Sequence, residues 1–385
     1  MTFAHLLATV SLLSIASLSH ASPQYSLTAL SPLAGYPGSF AAALNHHGQI
    51  VGYGDLETYP LKTLATSWAN GTASALTDGQ GRYSAAFSIN DHGQVVGVSY
   101  TRSGFYEPTI GGLETIPSSP SYDGQATLWQ NSTATTLPGL SGQYAQAKGI
   151  NNLGQVVGWS LGADNQITAT LWSNNLPTAL TSLDGYRGEA NAINDQGNIV
   201  GSLSKVFGDY AALWNNNNEL TLLNTIGGIG AEAYAINSNN LIIGWSASAD
   251  GKQHATLWDN GTAIDLGRPD DYASFAYGLN NLGHVVGSFI GIDGTTGYLE
   301  EYAALWIDGS RINLNSLIDS ASGIMLDSAY GINDQGWIIA RGLDSNDNYN
   351  AYLLMPVPEP SSYAMLLAGL GLLVRSARRK TPSVG

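Results

Sequence analysis

Ala273–Gly287 reads ASFAYGLNNLGHVVG, and the same pattern returns in six further copies along the chain. Its core is Ile-Asn-Asp-His-Gly-Gln-Val-Val-Gly at Ile89–Gly97 and Ile-Asn-Asn-Leu-Gly-Gln-Val-Val-Gly at Ile150–Gly158. The other copies start at Leu44, Ile193, Ile236 and Ile332. Each holds one landmark asparagine: Asn45, Asn90, Asn151, Asn194, Asn237, Asn280 and Asn333. From Asn151 to Asn280 every step is 43 residues. The chain is therefore a tandem array, and its period, not its length of 385 residues, decides the architecture.

A second landmark follows in each copy: Ala-Thr-Ser-Trp68, Ala-Thr-Leu-Trp129, Ala-Thr-Leu-Trp172, Ala-Ala-Leu-Trp214, Ala-Thr-Leu-Trp258 and Ala-Ala-Leu-Trp306. The seventh is Ala351-Tyr352-Leu353-Leu354, without Trp. Asn70-Gly71, Asn260-Gly261 and Asp308-Gly309 then supply the positive φ of a two-residue hairpin turn. Each unit thus reads as four short strands: one ending at the landmark Asn, one through Val-Val-Gly, one through Leu-Trp, and one ending in Leu. Four strands repeated at this period predict an all-β, seven-bladed β-propeller. Small residues of the first strand (Gly149, Ala190, Ala192) suit a crowded central channel, and the Trp suits packing between blades. Gln24–Leu30 reads as a fourth strand without a third, and Ala351–Leu354 as a third without a fourth. Shared in one blade, the two ends would close the ring and remove its edges.

Composition agrees with strands and turns. Charged residues make up 11%, 46 glycines are present, and there is no cysteine, so no disulfide framework stabilises the blades. The net charge is -15, and four of the 14 basic residues (Arg375, Arg378, Arg379, Lys380) lie beyond the last acidic one. A propeller this acidic repels a phosphate backbone, which excludes nucleic acid as a partner.

The two ends read as addresses. Residues 1–21 form a signal peptide: Leu6–Leu18 is apolar but short for a span, and Ser19-His20-Ala21 suits signal peptidase. The propeller occupies 22–356 and a sorting tail 357–385. In that tail, Val357-Pro358-Glu359-Pro360 precedes a short apolar helix expected over 363–374 and a basic end at 375–380. The prolines hold an extended recognition segment, and Arg375, Arg378, Arg379 and Lys380 act as a cytoplasmic stop.

Motif for motif, this tail resembles the PEP-CTERM sorting signal. The resemblance implies an exosortase-type membrane protease as partner, transient membrane contact through the apolar helix, and a Gram-negative surface or matrix location. The repeat, through Ala-Thr-Leu-Trp-Asp-Asn-Gly at Ala255–Gly261 and Ile-Asn-x-x-Gly-Gln-Val-Val-Gly, resembles the extracellular HAF repeat family. Copy five departs from it with Asn240 for the turn Gly, and copy seven ends in Ala340. That family implies fold and export but no chemistry.

Two steps are much longer than 43: 61 residues from Asn90 to Asn151 and 53 from Asn280 to Asn333. The extra residues fall at Tyr100–Gln125, with Tyr106, and Phe289–Glu301, with Tyr298. Both insertions share a face with the inter-blade loops that carry Tyr83, Tyr144, Tyr186, Tyr272, Arg187, Asp270 and Asp271. Aromatics beside carboxylates suit a sugar, whose faces stack and whose hydroxyls donate, so exopolysaccharide is the expected ligand. The alternative is that each Tyr plugs a seam. A structural or adhesive protein with protein partners, and a polysaccharide-active enzyme, are the competing functions. No catalytic motif is found, no enzyme activity is expected, and no cofactor is expected. Asp344–Asn350 and Asn194-Asp195 offer oxygen ligands to calcium without matching an EF-hand loop.

Overall fold

The computed structural model describes residues 25–56, 62–80, 82–100, 124–131, 133–142, 144–206, 208–294 and 296–357. The signal peptide, Tyr106, Pro358, Glu359, Pro360, the apolar helix 363–374 and the basic end lie outside the described residues. Among the described residues no helix is long and apolar enough to cross a membrane.

Seven antiparallel four-stranded sheets form the blades of a propeller. The first is built from Gly38–Leu44, Ile50–Asp55, Thr63–Ala69 and Thr72–Ala75. The innermost strands of the other six are Tyr83–Ile89, Ala145–Ile150, Arg187–Ile193, Gly227–Ile236, Ala273–Leu279 and Met325–Ile332. In the last sheet Met325–Ile332, Ile338–Leu343 and Tyr349–Pro356 are followed outward by Tyr25–Ala29, which pairs in register from Tyr25↔Pro356 to Ala29↔Tyr352. Two short 3-10 turns, Leu314–Ser316 and Ser320–Ser322, lie between blades six and seven; nothing in the repeat pattern announces them.

The core lies between blades, not within them. One cluster joins Val157, Ala169 and Leu180 of blade three to Ile199, Leu203 and Trp214 of blade four. All six landmark Trp side chains are at most 2% exposed. Five of them donate the indole N–H to a carbonyl at the end of the preceding blade: Trp68 to Ser31, Trp172 to Pro138, Trp214 to Thr181, Trp258 to Asn224 and Trp306 to Leu266, at 2.6 to 2.9 Å. Each of these five indoles thus fills the seam and satisfies its one polar atom, whereas the buried Trp129 indole N–H has no bonded acceptor among the described residues.

Every innermost strand carries a bulge three residues before its landmark Asn, for example between Ala41 and Ala43 and between Ala147 and Gly149. Opposite it stands the Gly of Val-Val-Gly. A Cβ on Gly52, Gly158 or Gly244 would run into the carbonyl of Phe40, Gln146 or Glu232, so only glycine admits the approach. Blade seven has Ala340 there, and its inner strand carries a second register shift between Leu326 and Ser328. Asn240, in place of the turn Gly, takes φ 62°, a conformation Asn tolerates.

The small residues expected to line the channel do something else. Gly149 abuts the Asn191 carbonyl and Ala192 Cα of the next inner strand, and Ala190 is fully buried in the seam between blades three and four. They let neighbouring inner strands approach, while bulkier side chains face the axis. The blade-six insertion also differs from a loop: Val285–Ile292 and Leu299–Ile307 stay paired out to Ile292↔Leu299, making a long hairpin.

Candidate functional site

The landmark asparagines form a ring. Each is 3 to 6% exposed. Its Oδ1 accepts from backbone N–H groups two and four residues on, as Asn151 does from Leu153 and Gln155 at 3.1 and 2.9 Å, which closes the turn. Its Nδ2 reaches the next blade. Asn45 donates to the Asn90 carbonyl, Asn90 to Asn151, Asn151 to Asn194, Asn194 to Asn237, Asn237 to Asn280, and Asn280 to Asn333, at 3.0 to 3.1 Å. Asn333 donates to the Asn45 carbonyl at 3.3 Å, so the seven bonds return to their start.

The next residue in each copy forms a shallow bowl of about 230 Å³ over this ring: His46, Asp91, Asn152, Asp195, Ser238, Asn281 and Asp334. Most take a side-chain oxygen from the following blade onto their own N–H, as Asn152 does from Asp195 at 2.7 Å and Asn281 from Asp334 at 2.7 Å. Between blades four and five Ser238 replaces the long side chain, and Gln196 Nε2 crosses to the Ser238 carbonyl at 2.8 Å. His46 bridges Asp334 at 2.6 Å and Asp91 at 3.2 Å. Burial pushes the His46 pKa down, but its bonds and attraction to Asp334 and Asp91 outweigh this and raise it above 6.5. For Asp91 and Asp334 burial raises the pKa, yet the hydrogen bonds they accept, with His46 nearby, bring it below 3.8.

The His46 contribution is therefore fully present below its unfolded pKa and lost as pH rises through the raised folded value. The carboxylate contribution is present above the unfolded carboxylate pKa and lost as pH falls through the lowered folded values. His46→Asn is expected to flatten the decline in stability above about pH 6.5. The effect should stay under about 1 kcal/mol because the groups are part-exposed, and urea midpoints across that range measure it.

The opposite face holds the tyrosines. Tyr272 is 63% and Tyr298 75% exposed, and Arg187 and Asp270 are exposed beside the same loops. Tyr83, Tyr144 and Tyr186 are half-buried. Tyr83 lies against Tyr100, and Tyr186 packs edge-on to Tyr210 with Lys205 Nζ 4.7 Å from its ring centroid. Asp271 is 2% exposed and paired with Arg311, whose guanidinium stacks on Phe289 at 3.8 Å. That pair braces the blade-six hairpin beneath the exposed face.

The channel wall went unnoticed in the sequence. Residues three and five before each landmark face one another between neighbouring inner strands. On one side Lys148 pairs with Glu189 and donates to Asn191 at 3.1 Å, and Asn191 donates to Glu232 at 3.2 Å. On the other, Tyr234, Tyr277, Tyr330 and Phe40 run ring to ring at 4.7 to 5.9 Å. The signal was available: position four before the landmark is Ala in all seven copies, while positions three and five vary freely.

Among the described residues no group of three or more His, Asp or Glu side chains could hold a metal. Asp344 Oδ1 accepts from the N–H groups of Asn346 and Asn348 at 2.8 and 3.0 Å, which closes its turn. His254 Nδ1 lies 3.0 Å from Asp265, and its Nε2 is buried without a partner, so no nucleophile stands on this dyad.

The propeller hands the chain to its tail at a defined place. First and third strands of a blade end on the same face, so Tyr349–Pro356 ends on the landmark-turn side. A Cβ on Gly336, in the turn of that blade, would lie 3.2 Å from Pro356 Cγ. Residues 356–380, starting at that strand's last residue, match the PEP-CTERM protein-sorting motif. The tail is a PEP-CTERM sorting signal. This signal marks the protein for export and for sorting to the cell envelope or surface. No curated protein matches the chain at a significant level. Solved structures similar to it include Trypanosoma rangeli sialidase, at 12% identity and TM-score 0.40, covering 90% of this chain and 59% of that one. TolB from Acinetobacter baumannii matches at 10% identity and TM-score 0.42, covering 80% of each chain. A Mycobacterium tuberculosis puromycin-hydrolyzing peptidase matches at 9% and 0.40, covering 83% of this chain and 61% of that one. The chain thus spans about three fifths of the sialidase.

Proposed function

We propose that this protein is an exosortase-sorted surface or matrix propeller of HAF type, from a Gram-negative cell, that binds exopolysaccharide or another envelope component without catalysing a reaction on it. The observation that carries the sorting half is the PEP-CTERM match at 356–380, joined directly to the last strand of the ring. An exosortase-type protease cuts near Pro358–Pro360 after transient anchoring by the apolar segment, and signal peptidase removes residues 1–21. Because the tail leaves from the landmark-turn side, the tethered propeller turns its bowl toward the membrane. The face with Tyr272, Tyr298, Arg187 and Asp270 then looks outward, and its exposed rings and carboxylates support a glycan as ligand.

The sorting half is tested in cells that make the protein. The wild-type chain should leave the membrane fraction in a form shortened at the tail. Pro358→Ala combined with Glu359→Ala should remain full-length in the inner membrane. A variant processed and released like the wild type would overturn the reading.

A further inference from the structure

The turn between the third and fourth strands of blade four departs from the repeat. Trp214 pairs with Leu220, six residues on, whereas Trp172, Trp258 and Trp306 pair with Pro177, Ala263 and Arg311, five on. The extra residue falls in the run Asn215-Asn216-Asn217-Asn218, and Asn218 takes φ 61°. Its Oδ1 accepts from the Thr181 N–H at 2.9 Å, and its Nδ2 donates to the Ala179 carbonyl at 3.3 Å. Its own carbonyl accepts from Thr181 Oγ1 at 2.8 Å. These bonds pin the longer turn across the seam onto the last strand of blade three.

Between this turn and the landmark turns of blades three and four lies a cavity of about 220 Å³, far above the ~15 Å³ that one water needs. Its floor is aliphatic: Leu180 and Ile199 are 4% and 2% exposed, and Leu171 is half-buried. Leu153, 71% exposed, stands at its edge. Gln155 spends its Oε1 on Asn151 Nδ2 at 2.8 Å, and Gln196 spends its Nε2 on the Ser238 carbonyl at 2.8 Å. One lining carboxamide therefore keeps donors to offer, the other keeps an acceptor, and Asn216 is exposed beside them. Among the described residues no Lys, Arg or His lines the cavity. Its one carboxylate, Asp195, already accepts from Asn152 on both oxygens, at 2.7 and 3.0 Å.

We propose that this cavity binds the acetamido group of a neutral N-acetylated sugar. Such a group matches the lining part for part: a methyl for the aliphatic floor, a carbonyl to accept from Gln155, and an N–H to donate to Gln196. The sugar ring then lies at the edge, against Leu153, where its hydroxyls reach Asn216. A plain hexose has no methyl for the floor, and an ionic unit finds no free counter-charge. The inference rests on the glycan reading above only in preferring a sugar to a peptide, which carries the same amide. It adds a second site, on the landmark-turn side and away from Tyr272 and Tyr298.

The test uses the full chain in mild detergent with isoleucine labelled by 13C at its δ1 methyl, Ile199→Val serving only to assign the resonance. N-acetylglucosamine, N-acetylgalactosamine, glucose and galactose are titrated in separately, and N-acetylleucine methylamide is the peptide probe. At least one N-acetyl sugar is expected to shift the Ile199 signal saturably, and neither plain hexose to do so. Gln196→Leu combined with Asn216→Leu removes polar groups from exposed positions, keeps the floor, and should weaken the response by about tenfold or more. No shift with either N-acetyl sugar would overturn the proposal. So would an equal shift with a plain hexose, an undiminished response in the double variant, or a response confined to the peptide probe. Exopolysaccharide retention that depends on Tyr272 and Tyr298, with a silent Ile199, would sink this cavity and leave the outward-face reading standing. An Ile199 that responds to an N-acetyl sugar without polymer retention would do the reverse.

Discussion

Asn151→Ala is expected to lower unfolding stability by about 2–4 kcal/mol, far more than its small change in volume suggests. The side chain serves two structures at once. Losing Oδ1 strands the turn N–H groups of Leu153 and Gln155, and losing Nδ2 strands the buried Asn194 carbonyl of the next blade. Each buried orphan costs about 1–3 kcal/mol. Asn215→Ala is the control, because the Asn215 side chain closes a turn for Asn217 and Glu219 within its own blade. It should cost about 1 kcal/mol or less. Asn151→Asp separates the two roles: it keeps the turn acceptor but points a carboxylate at the Asn194 carbonyl, so its deficit should shrink at acid pH. Urea midpoints at unchanged m measure all three. Equal losses for Asn151→Ala and Asn215→Ala would mean that the cross-blade bonds carry nothing.

Removing residues 25–30 is expected to have the largest effect of any short deletion. Tyr25 and Leu30 are 8% and 1% exposed, and burying side chains of this size is worth about 1.5–3 kcal/mol each. The deletion also bares the whole edge of Tyr349–Pro356, which then invites pairing with a second chain. Against a typical total of about 5–15 kcal/mol, a loss on this scale should leave a chain that melts well below the wild type or self-associates. Circular dichroism melts with sedimentation velocity read both outcomes. Deleting 358–385 removes no described strand and should leave the melt unchanged. An unaltered melt after the N-terminal deletion would show that the ring does not depend on this strand.

The period, the landmark turns and the Trp positions were legible because they are local and recur: a turn needs Asn and Gly, and a seam needs one bulky ring. What was illegible is what one blade does to another. The landmark Asn reads completely as a turn residue, so nothing in one copy reveals that its amide reaches a carbonyl 43 residues away. Small residues of the inner strand read as channel lining because a crowded axis is easy to picture. In fact they sit where two strands meet, and the bulges turn larger neighbours such as Lys148 and Tyr234 to the axis. On the outward face, exposure separates residues that composition groups together. Tyr272 and Tyr298 stand free of the core, Tyr186 packs against it, and Asp271 belongs to a buried ion pair.

The most direct test of the account is retention of the full-length protein on exopolysaccharide extracted from the cells that make it. Binding should be saturable, insensitive to chelator, and weakened about tenfold or more when Tyr272 and Tyr298 are both replaced by Ala, a change that removes exposed rings. Absence of saturable binding, or binding untouched by the double substitution, would contradict a glycan-binding role for the outward face.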